Sequence, residues 1–112
     1  MHDLMKKLSL FAKERDWEQF HSPKNLSMAL AVEASEIMEH FQWLTEEQSR
    51  NLDQKTLEKV KDEVADTQIY LARLADQLGI DPIAAANEKL IKNTDKYPVE
   101  KAKGSAKKYT EL

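Results

Sequence analysis

Two pairs of carboxylates, each spaced three residues apart, are the residues of this sequence best suited to chemistry. The first pair is Glu33 and Glu36, and the second is Glu63 and Asp66. On a helix, side chains at i and i+3 project from neighbouring points of one surface, so each pair presents two carboxylates together. Two antiparallel helices would bring the four groups towards one another. An all-oxygen set of this kind predicts a site for a hard divalent cation, Mg²⁺ or Mn²⁺, rather than Zn²⁺.

These carboxylates stand where apolar residues are expected. Glu33 interrupts a helical stripe that consists of Leu26, Leu30, Ile37 and Phe41. Burying an ion costs several kcal/mol, so four buried carboxylates would rival the ~5–15 kcal/mol that stabilises a whole domain. The nearest basic side chains, those of Lys59, Lys61 and Arg73, are expected mostly to point away from the apolar residues of the helix that carries Glu63 and Asp66. A bound cation is the favoured explanation, and solvated charges at the edge of an imperfect stripe remain the alternative.

The elements that must position these pairs are predicted to be helices. The chain has 112 residues with only 2 Gly, 3 Pro and no Cys, which disfavours a β-rich fold and excludes disulfides and thiolate chemistry. Four long helices are predicted, from about residue 3 to 20, from 22 to about 43, from 53 or 54 to 79, and from 81 to near 97. A short turn or loop follows Thr45. The fold class is therefore all-α, a four-helix bundle type.

The third predicted helix carries the most regular apolar pattern. Its apolar seam repeats at spacings of three and four residues and consists of Leu57, Val60, Val64, Thr67, Leu71, Leu74 and Leu78. A helix of this length leaves apolar surface that one short chain cannot cover. The sequence therefore predicts a homo-oligomer.

Pro98 ends the fourth predicted helix, and the chain after it is polar, so the sequence predicts a helical domain over residues 1–98 and a basic, extended tail over residues 99–112. Residues 1–88 carry 10 Lys and Arg against 17 acids, whereas residues 89–112 carry 7 Lys against 3 acids. This balance argues against duplex nucleic acid as a partner. The longest apolar run, residues 28–32, is too short to span a membrane, and without the apolar core of a secretory signal the expected location is cytoplasmic.

The carboxylate pairs and their surroundings resemble the MazG-like all-α nucleoside triphosphate pyrophosphohydrolases. The family motif is Glu-Glu-x-x-Glu, a spacer and Glu-x-x-Asp; here Val32 stands at its first position, as in the branch that includes the dCTP pyrophosphatases. The likeness covers nearly the whole chain. Besides the carboxylates, it rests on the stretches 14–21, 25–26, 41–43, 66–71, 97–98, 104–105 and 108–110.

This resemblance implies Mg²⁺-dependent cleavage of a (deoxy)nucleoside triphosphate between its α- and β-phosphates, with dCTP-like substrates favoured and nucleotide-pool cleansing as the role. It implies that the metal ligands are Glu33, Glu36, Glu63 and Asp66. Glu36 is our choice for the bridging ligand or general base, with Glu33 as the second catalytic residue. The family also implies a homotetramer, assembled as a dimer of dimers.

Further residues are predicted to bind the substrate. By resemblance, the nucleotide pocket is lined by Trp17, Gln19, His21, Trp43 and Tyr70. Lys89, Asn93 and Lys96 share one face of the fourth predicted helix, which is usually a solvated stripe but could here hold phosphates. The tail lysines after residue 98 could order over the pocket or over a neighbouring subunit.

Three other functions fit parts of the pattern. A ferritin-like di-iron bundle needs two Glu-x-x-His motifs, and only Glu18 with His21 provides one, so this interpretation is rejected. A non-catalytic helical oligomerisation module remains the main alternative to an enzyme. A phosphodiesterase or dUTPase-like activity on the same metal site is a closer rival.

Overall fold

The computed structural model describes residues 1–112, and its regular structure is entirely helical, which confirms the predicted all-α class. The long helices are α1 (His2–Glu14), α2 (Pro23–Glu39), α4 (Gln54–Gln77) and α5 (Pro82–Lys96). The short ones are α3 (Glu46–Arg50) and α6 (Val99–Ala102), with 3₁₀ turns at Glu18–Phe20 and Tyr109–Glu111.

Side-chain caps at the helix starts explain why these boundaries were readable from the sequence. Ser22, Asp53 and Asp81 each accept hydrogen bonds from backbone N–H groups in the first turn of α2, α4 and α5. Thr45 forms a capping box with Gln48 and starts α3. At the end of α4, Gly79 adopts φ +67°, and the Ile80 N–H bonds the Ala75 carbonyl, the Schellman ending that a glycine favours.

The first helix is shorter than predicted, because it ends at Glu14 instead of reaching Phe20. Asp16 has φ +56°, and the Trp17 N–H donates to the Ala12 carbonyl at 2.9 Å. This is a Schellman ending built on an aspartate, one of the few non-glycine residues that tolerate the left-handed region. The Trp17 ring then packs edge-on against Phe11, with the ring centroids 5.6 Å apart.

The second helix also stops earlier than predicted, at Glu39, and residues 40–43 form turns. The Phe41 and Gln42 N–H groups both bond the Met38 carbonyl, which tightens the chain at this end. The aromatic residues after Glu39 continue the apolar period, so the sequence pattern alone extends past the true helix end.

The chain forms two compact units, residues 1–80 and 81–112. In the first unit, α4 packs along α2 and also contacts α1. The two helices α2 and α4 are antiparallel, as expected, because His21 before α2 meets Arg73 late in α4, whereas His40 after α2 lies beside Glu63. The innermost apolar residues are mostly small: Ala12, Leu26, Ala72 and Ala75. Small side chains allow the helix backbones to approach closely.

One expectation about α4 was wrong. Arg73 does not point away from the packed face: it is only 2% exposed. Part of the apolar seam is left uncovered by this chain, as expected for so long a helix, because every seventh residue is exposed, namely Leu57, Val64, Leu71 and Leu78. The seam therefore divides into a face within the chain and an exposed heptad ridge.

The second unit contains α5, α6 and the last 3₁₀ turn. The tail was predicted to be extended, but α6 and the turn at Tyr109–Glu111 give it helical structure. Its rings pack locally, because Tyr97 and Tyr109 meet edge-on at 6.1 Å and the Lys96 ammonium lies 4.8 Å above the Tyr109 ring. The proposed division at residue 98 stays a prediction. None of the helices is long and apolar enough to cross a membrane.

Candidate functional site

Three of the four predicted carboxylates converge between α2 and α4. Glu33 and Glu36 lie on α2 and Glu63 lies on α4, each offering one oxygen, and these oxygens all lie within 4.8 Å of one another. All three residues are half-buried. Because α2 and α4 are antiparallel, residues 30 positions apart in the sequence become neighbours across the helix interface.

Two oxygens of this cluster have no hydrogen-bond donor. Oε2 of Glu33 and Oε2 of Glu63 are buried and unpartnered. Burial, followed by hydrogen bonding to Glu36 and the negative charges of Glu36 and Asp66, raises the pKa of Glu33 to about 7. Hydrogen bonding to Glu36, followed by burial, likewise raises the pKa of Glu63. Carboxylates at this separation require a proton or a cation between them.

Asp66, the fourth predicted ligand, is exposed and lies outside the closest set of three. It is one turn beyond Glu63 on α4, and its negative charge acts on Glu33. The turn between them is held by the Thr67 hydroxyl, which donates to the Glu63 carbonyl at 2.8 Å.

His40 is a neighbour of the cluster that sequence reasoning missed. Its Nε2 lies 3.8 Å from Oε1 of Glu63. A signal existed, because His40 follows Glu36 by four residues and therefore continues the same face beyond the end of α2. Only the observed α2–α4 packing shows that this face meets Glu63.

The residues present fit a divalent cation of the Mg²⁺ class. The donors are carboxylate oxygens from two rigid helices, which is the donor chemistry that Mg²⁺ and Mn²⁺ prefer. The two buried oxygens of Glu33 and Glu63 that have no hydrogen-bond donor support this fit, because a bound cation would give both of them a partner.

Further along α4, aromatic residues line a cavity together with His21. Trp17, His21 and Tyr70 all border it, as three of the residues predicted to bind the substrate. The remaining lining residues are Leu8, Phe11, Ala12, Ile69 and Arg73. The cavity is therefore mainly apolar, with few polar groups, as is common for the site of a flat aromatic ligand.

Arg73 holds His21 at the edge of this cavity. The Nε–H of Arg73 donates to Nδ1 of His21 at 3.3 Å, and Nη1 donates to Asp76 Oδ2 at 3.3 Å. Nη2 of Arg73 is buried and has no acceptor. Burial, and then the positive charge of Arg73, lowers the pKa of His21, while Glu18 opposes this effect.

The carboxylates and the cavity are connected by one face of α4. Glu63, Asp66, Tyr70 and Arg73 succeed each other at spacings of three, four and three residues. Glu63 and Tyr70 are seven residues apart, so at a rise of about 1.5 Å per residue they are separated by roughly 10 Å along the helix. A single ligand can therefore lie along α4 with one end at each group.

Two predicted binding residues of the first unit lie outside the cavity lining. Trp43 is 87% exposed in the turn after α2. Gln19 is exposed, and its amide donates to the backbone carbonyl and side chain of Asp16, at 2.9 and 3.2 Å. Gln19 thus supports the turn that carries Trp17.

The predicted phosphate-binding residues belong to the second unit. Lys89, Asn93 and Lys96 lie on α5, with Asn93 half-buried and both lysines exposed. Their spacing of four and three residues places them on one face of that helix, as the sequence predicted.

Comparison with known proteins identifies the family of this chain. The MazG-like family profile matches residues 28–112, a stretch that includes all four carboxylates. The chain belongs to the MazG-like family. It is a nucleotide pyrophosphohydrolase, and the resemblance inferred from its motifs is confirmed.

Its mammalian relatives place it near one branch of that family. The chain is 40% identical to dCTP pyrophosphatase 1 of Mus musculus and 39% identical to that of Homo sapiens, in each case across 100% of this chain and 67% of the relative. A pyrophosphatase from Archaeoglobus fulgidus has a similar structure, with a TM-score of 0.83 and 36% identity; the match covers 88% of this chain and 92% of that one.

Proposed function

We propose that this enzyme is a Mg²⁺-dependent pyrophosphohydrolase of (deoxy)nucleoside triphosphates that favours dCTP-like substrates and releases a monophosphate and pyrophosphate. The consequence for the cell would be cleansing of the nucleotide pool. The names of the mammalian relatives support the choice of substrate, since those proteins are called dCTP pyrophosphatases.

The single observation that carries the proposal is the carboxylate cluster with its two unpartnered oxygens. Glu33, Glu36 and Glu63 would hold Mg²⁺, with Asp66 as the fourth ligand, and Mn²⁺ could substitute. When bound, the cation supplies positive charge that offsets the phosphate charge and makes a nearby water more acidic. Without such a charge, burial, then hydrogen bonding to Glu36 and the negative charges of Glu36 and Asp66, raise the pKa of Glu33.

The protein's own residues orient the substrate and move a proton. Hydrolysis adds the elements of water across the α–β anhydride: the water oxygen bonds to phosphorus, and the P–O bond of the anhydride breaks. We assign Glu36, with Glu33 beside it, to accept the proton of that water. Pyrophosphate departs with the bridging oxygen, and the nucleoside monophosphate remains to be released.

The cavity beside Tyr70 is the proposed site for the base. Trp17 and Tyr70 offer aromatic faces for stacking, and His21 offers a ring nitrogen for hydrogen bonding. Trp43 and Gln19 are proposed to complete this pocket. Lys89, Asn93 and Lys96 are proposed to bind phosphate oxygens that the metal does not hold.

A homotetramer built as a dimer of dimers is the proposed assembly. Its support is the exposed heptad ridge of α4, since four large apolar residues on one stripe are costly to leave in water. The family resemblance implies the same arrangement.

Pyrophosphate release from a panel of dNTPs and modified dNTPs tests the proposal directly. With Mg²⁺, dCTP or a modified cytosine triphosphate should give the highest kcat/KM, and the products should be a monophosphate and pyrophosphate. Release of inorganic phosphate, or equal rates on all bases, would contradict it. The same product analysis separates this activity from a phosphodiesterase, and the base preference separates it from a dUTPase-like enzyme.

Glu36→Gln tests the site itself, because the amide is of the same size but cannot accept a proton or offset the charge of a cation. It should lower kcat at least about 100-fold while leaving the helical circular dichroism spectrum unchanged. Glu39→Gln is the matched control, since Glu39 is an exposed residue of the same helix. Activity retained in the Glu36 variant would refute the metal-site assignment.

A further inference from the structure

Arg73 is an unusual residue to find inside this small helical unit. It is the one charged residue buried in the chain's interior, at 2% exposure. A buried guanidinium is costly unless its N–H groups find acceptors, and one of its nitrogens, Nη2, has none. Its burial is therefore explained poorly by stability alone.

The contact between Arg73 and His21 dictates the chemistry of the imidazole. A guanidinium has only donors and stays protonated, so the Arg73 Nε–H can bond Nδ1 of His21 only if that nitrogen carries a lone pair. The His21 proton must then reside on Nε2. A protonated His21, with N–H groups on both nitrogens, could not accept this bond.

We propose that Arg73 is a positioning residue that holds His21 as the neutral Nε2–H tautomer, so that His21 offers a hydrogen-bond donor to an acceptor atom of the ligand in the Trp17–Tyr70 cavity. The ligand class that fits is a base that presents a carbonyl or an unprotonated ring nitrogen beside its stacking face. This inference rests on the proposed function only for the identity of that ligand.

The charged surroundings of His21 agree with a neutral ring. Arg73 is its nearest cation, Glu18 is the acid that acts on it, and Asp76 lies on the far side of Arg73, where it binds Nη1. Trp17 faces the imidazole, with ring centroids 6.3 Å apart. Burial and the Arg73 charge together lower the pKa of His21. Glu18 alone acts in the opposite direction.

The tautomer can be read without any substrate, from long-range ¹H–¹⁵N correlation spectra of the imidazole rings in the full-length protein. In the native protein, the His21 proton should be on Nε2. In Arg73→Met, a Nδ1–H population should appear and the His21 pKa should rise. Asp76→Asn is the matched control, because it removes the negative charge from the other Arg73 contact and should leave the His21 tautomer unchanged.

Kinetics then test whether this tautomer matters for binding. Arg73→Met should raise KM about tenfold, as expected for one hydrogen bond, with kcat little changed. His21→Gln should keep most of the affinity, because the Gln amide nitrogen can occupy the position of Nε2, whereas His21→Asn should not. In the His21→Gln background, Arg73→Met should have little further effect on KM.

Three results would overturn the proposal: a native His21 with its proton on Nδ1, an unchanged KM in Arg73→Met, or an equal KM increase in the His21→Gln background. The last result would indicate that Arg73 acts on the fold or on the ligand directly. If no nucleotide triphosphate is cleaved, the proposed substrate class fails, but the spectra still decide the role of Arg73.

Discussion

Glu33 illustrates how a single side chain can oppose folding until its ligand arrives. Its oxygens lie among Glu36, Glu63 and the charge of Asp66, and one of them has no donor. The folded protein therefore favours the protonated form of Glu33, while the unfolded chain ionises it near the ordinary value of 4.5. A bound cation replaces the proton and removes this conflict.

The sign of the resulting pH dependence can be tested in metal-free protein. Because the pKa of Glu33 is higher in the folded protein, protonation of Glu33 stabilises the fold, and this contribution is complete below pH 4.5. It is lost as the pH rises towards about 7. We expect the Tm of the metal-free protein to fall over that range, and Glu33→Gln to show a smaller fall. Above pH 7, Mg²⁺ should restore the Tm of the native protein but not that of the variant.

Glu39→Gln is again the control for this experiment, because Glu39 is exposed on the same helix and outside the cluster. A Tm that is independent of Mg²⁺ throughout would show that the carboxylates do not hold a cation. Identical pH profiles of the native protein and the Glu33 variant would show that Glu33 is not the group that titrates.

At the scale of elements, the turn after α1 decides where the aromatic cavity begins. The left-handed Asp16 ends the helix, and Trp17 then folds back against Phe11. Gln19 holds the turn through two hydrogen bonds to Asp16. The sequence pattern predicted a helix that continues past this turn, because the apolar spacing does not reveal that a single residue, Asp16, adopts the left-handed conformation.

Substitutions at Asp16 separate backbone conformation from side-chain bonding. Asp16→Ala should cost about 1 kcal/mol of unfolding free energy, because alanine tolerates positive φ poorly and loses the Gln19 contact. Asp16→Gly also loses that contact but adopts the left-handed region freely, so its cost should be smaller. Urea unfolding measures both variants. Equal costs would indicate that the Gln19 hydrogen bond, rather than φ, is what matters.

At the scale of the whole molecule, packing within a single chain does not explain the exposed apolar ridge on α4. Leu57, Val64, Leu71 and Leu78 recur every seven residues and are each 39–53% exposed. A regular heptad stripe is typical of helix–helix association. The half-buried and buried residues of α4 pack against α1 and α2 and form part of the candidate site. The helix therefore has one face for contacts within the chain and one exposed face for the proposed association.

Leu57→Lys tests the proposed assembly at the end of α4 farthest from the cavity. Burial of a leucine at a helix interface contributes about 1.5–3 kcal/mol, so the charged variant should weaken association at least about tenfold. Sedimentation velocity at several protein concentrations measures this. Glu58→Gln makes the same change of charge on a neighbouring exposed residue and should leave the assembly intact. A native protein that sediments as a monomer at micromolar concentration would contradict the proposal.

The sequence by itself determined the helices, most of their ends, the carboxylate pairs and the family. These are local properties: caps such as Ser22 and Asp53 and the glycine at position 79 act within a few residues, and i, i+3 spacing places Glu33 beside Glu36 on any helix. The ends predicted for α1 and α2 were wrong. Asp16 in the left-handed conformation ends α1, and the turns at residues 40–43 follow α2, but neither feature changes the apolar periodicity of the sequence.

Only the tertiary structure decided which residues meet across α2 and α4. The sequence predicted that the four carboxylates approach one another, but the structure put Glu63, and not Asp66, in the closest set with Glu33 and Glu36. It also placed His40 beside Glu63 and buried Arg73 against His21. These contacts depend on the angle, register and closeness of two helices, which are set by many small packing terms rather than by any local signal. Residue spacing along the helices could therefore identify the candidate carboxylates. The packing of α2 against α4 determined which side chains contact one another and, through burial and nearby charges, their protonation.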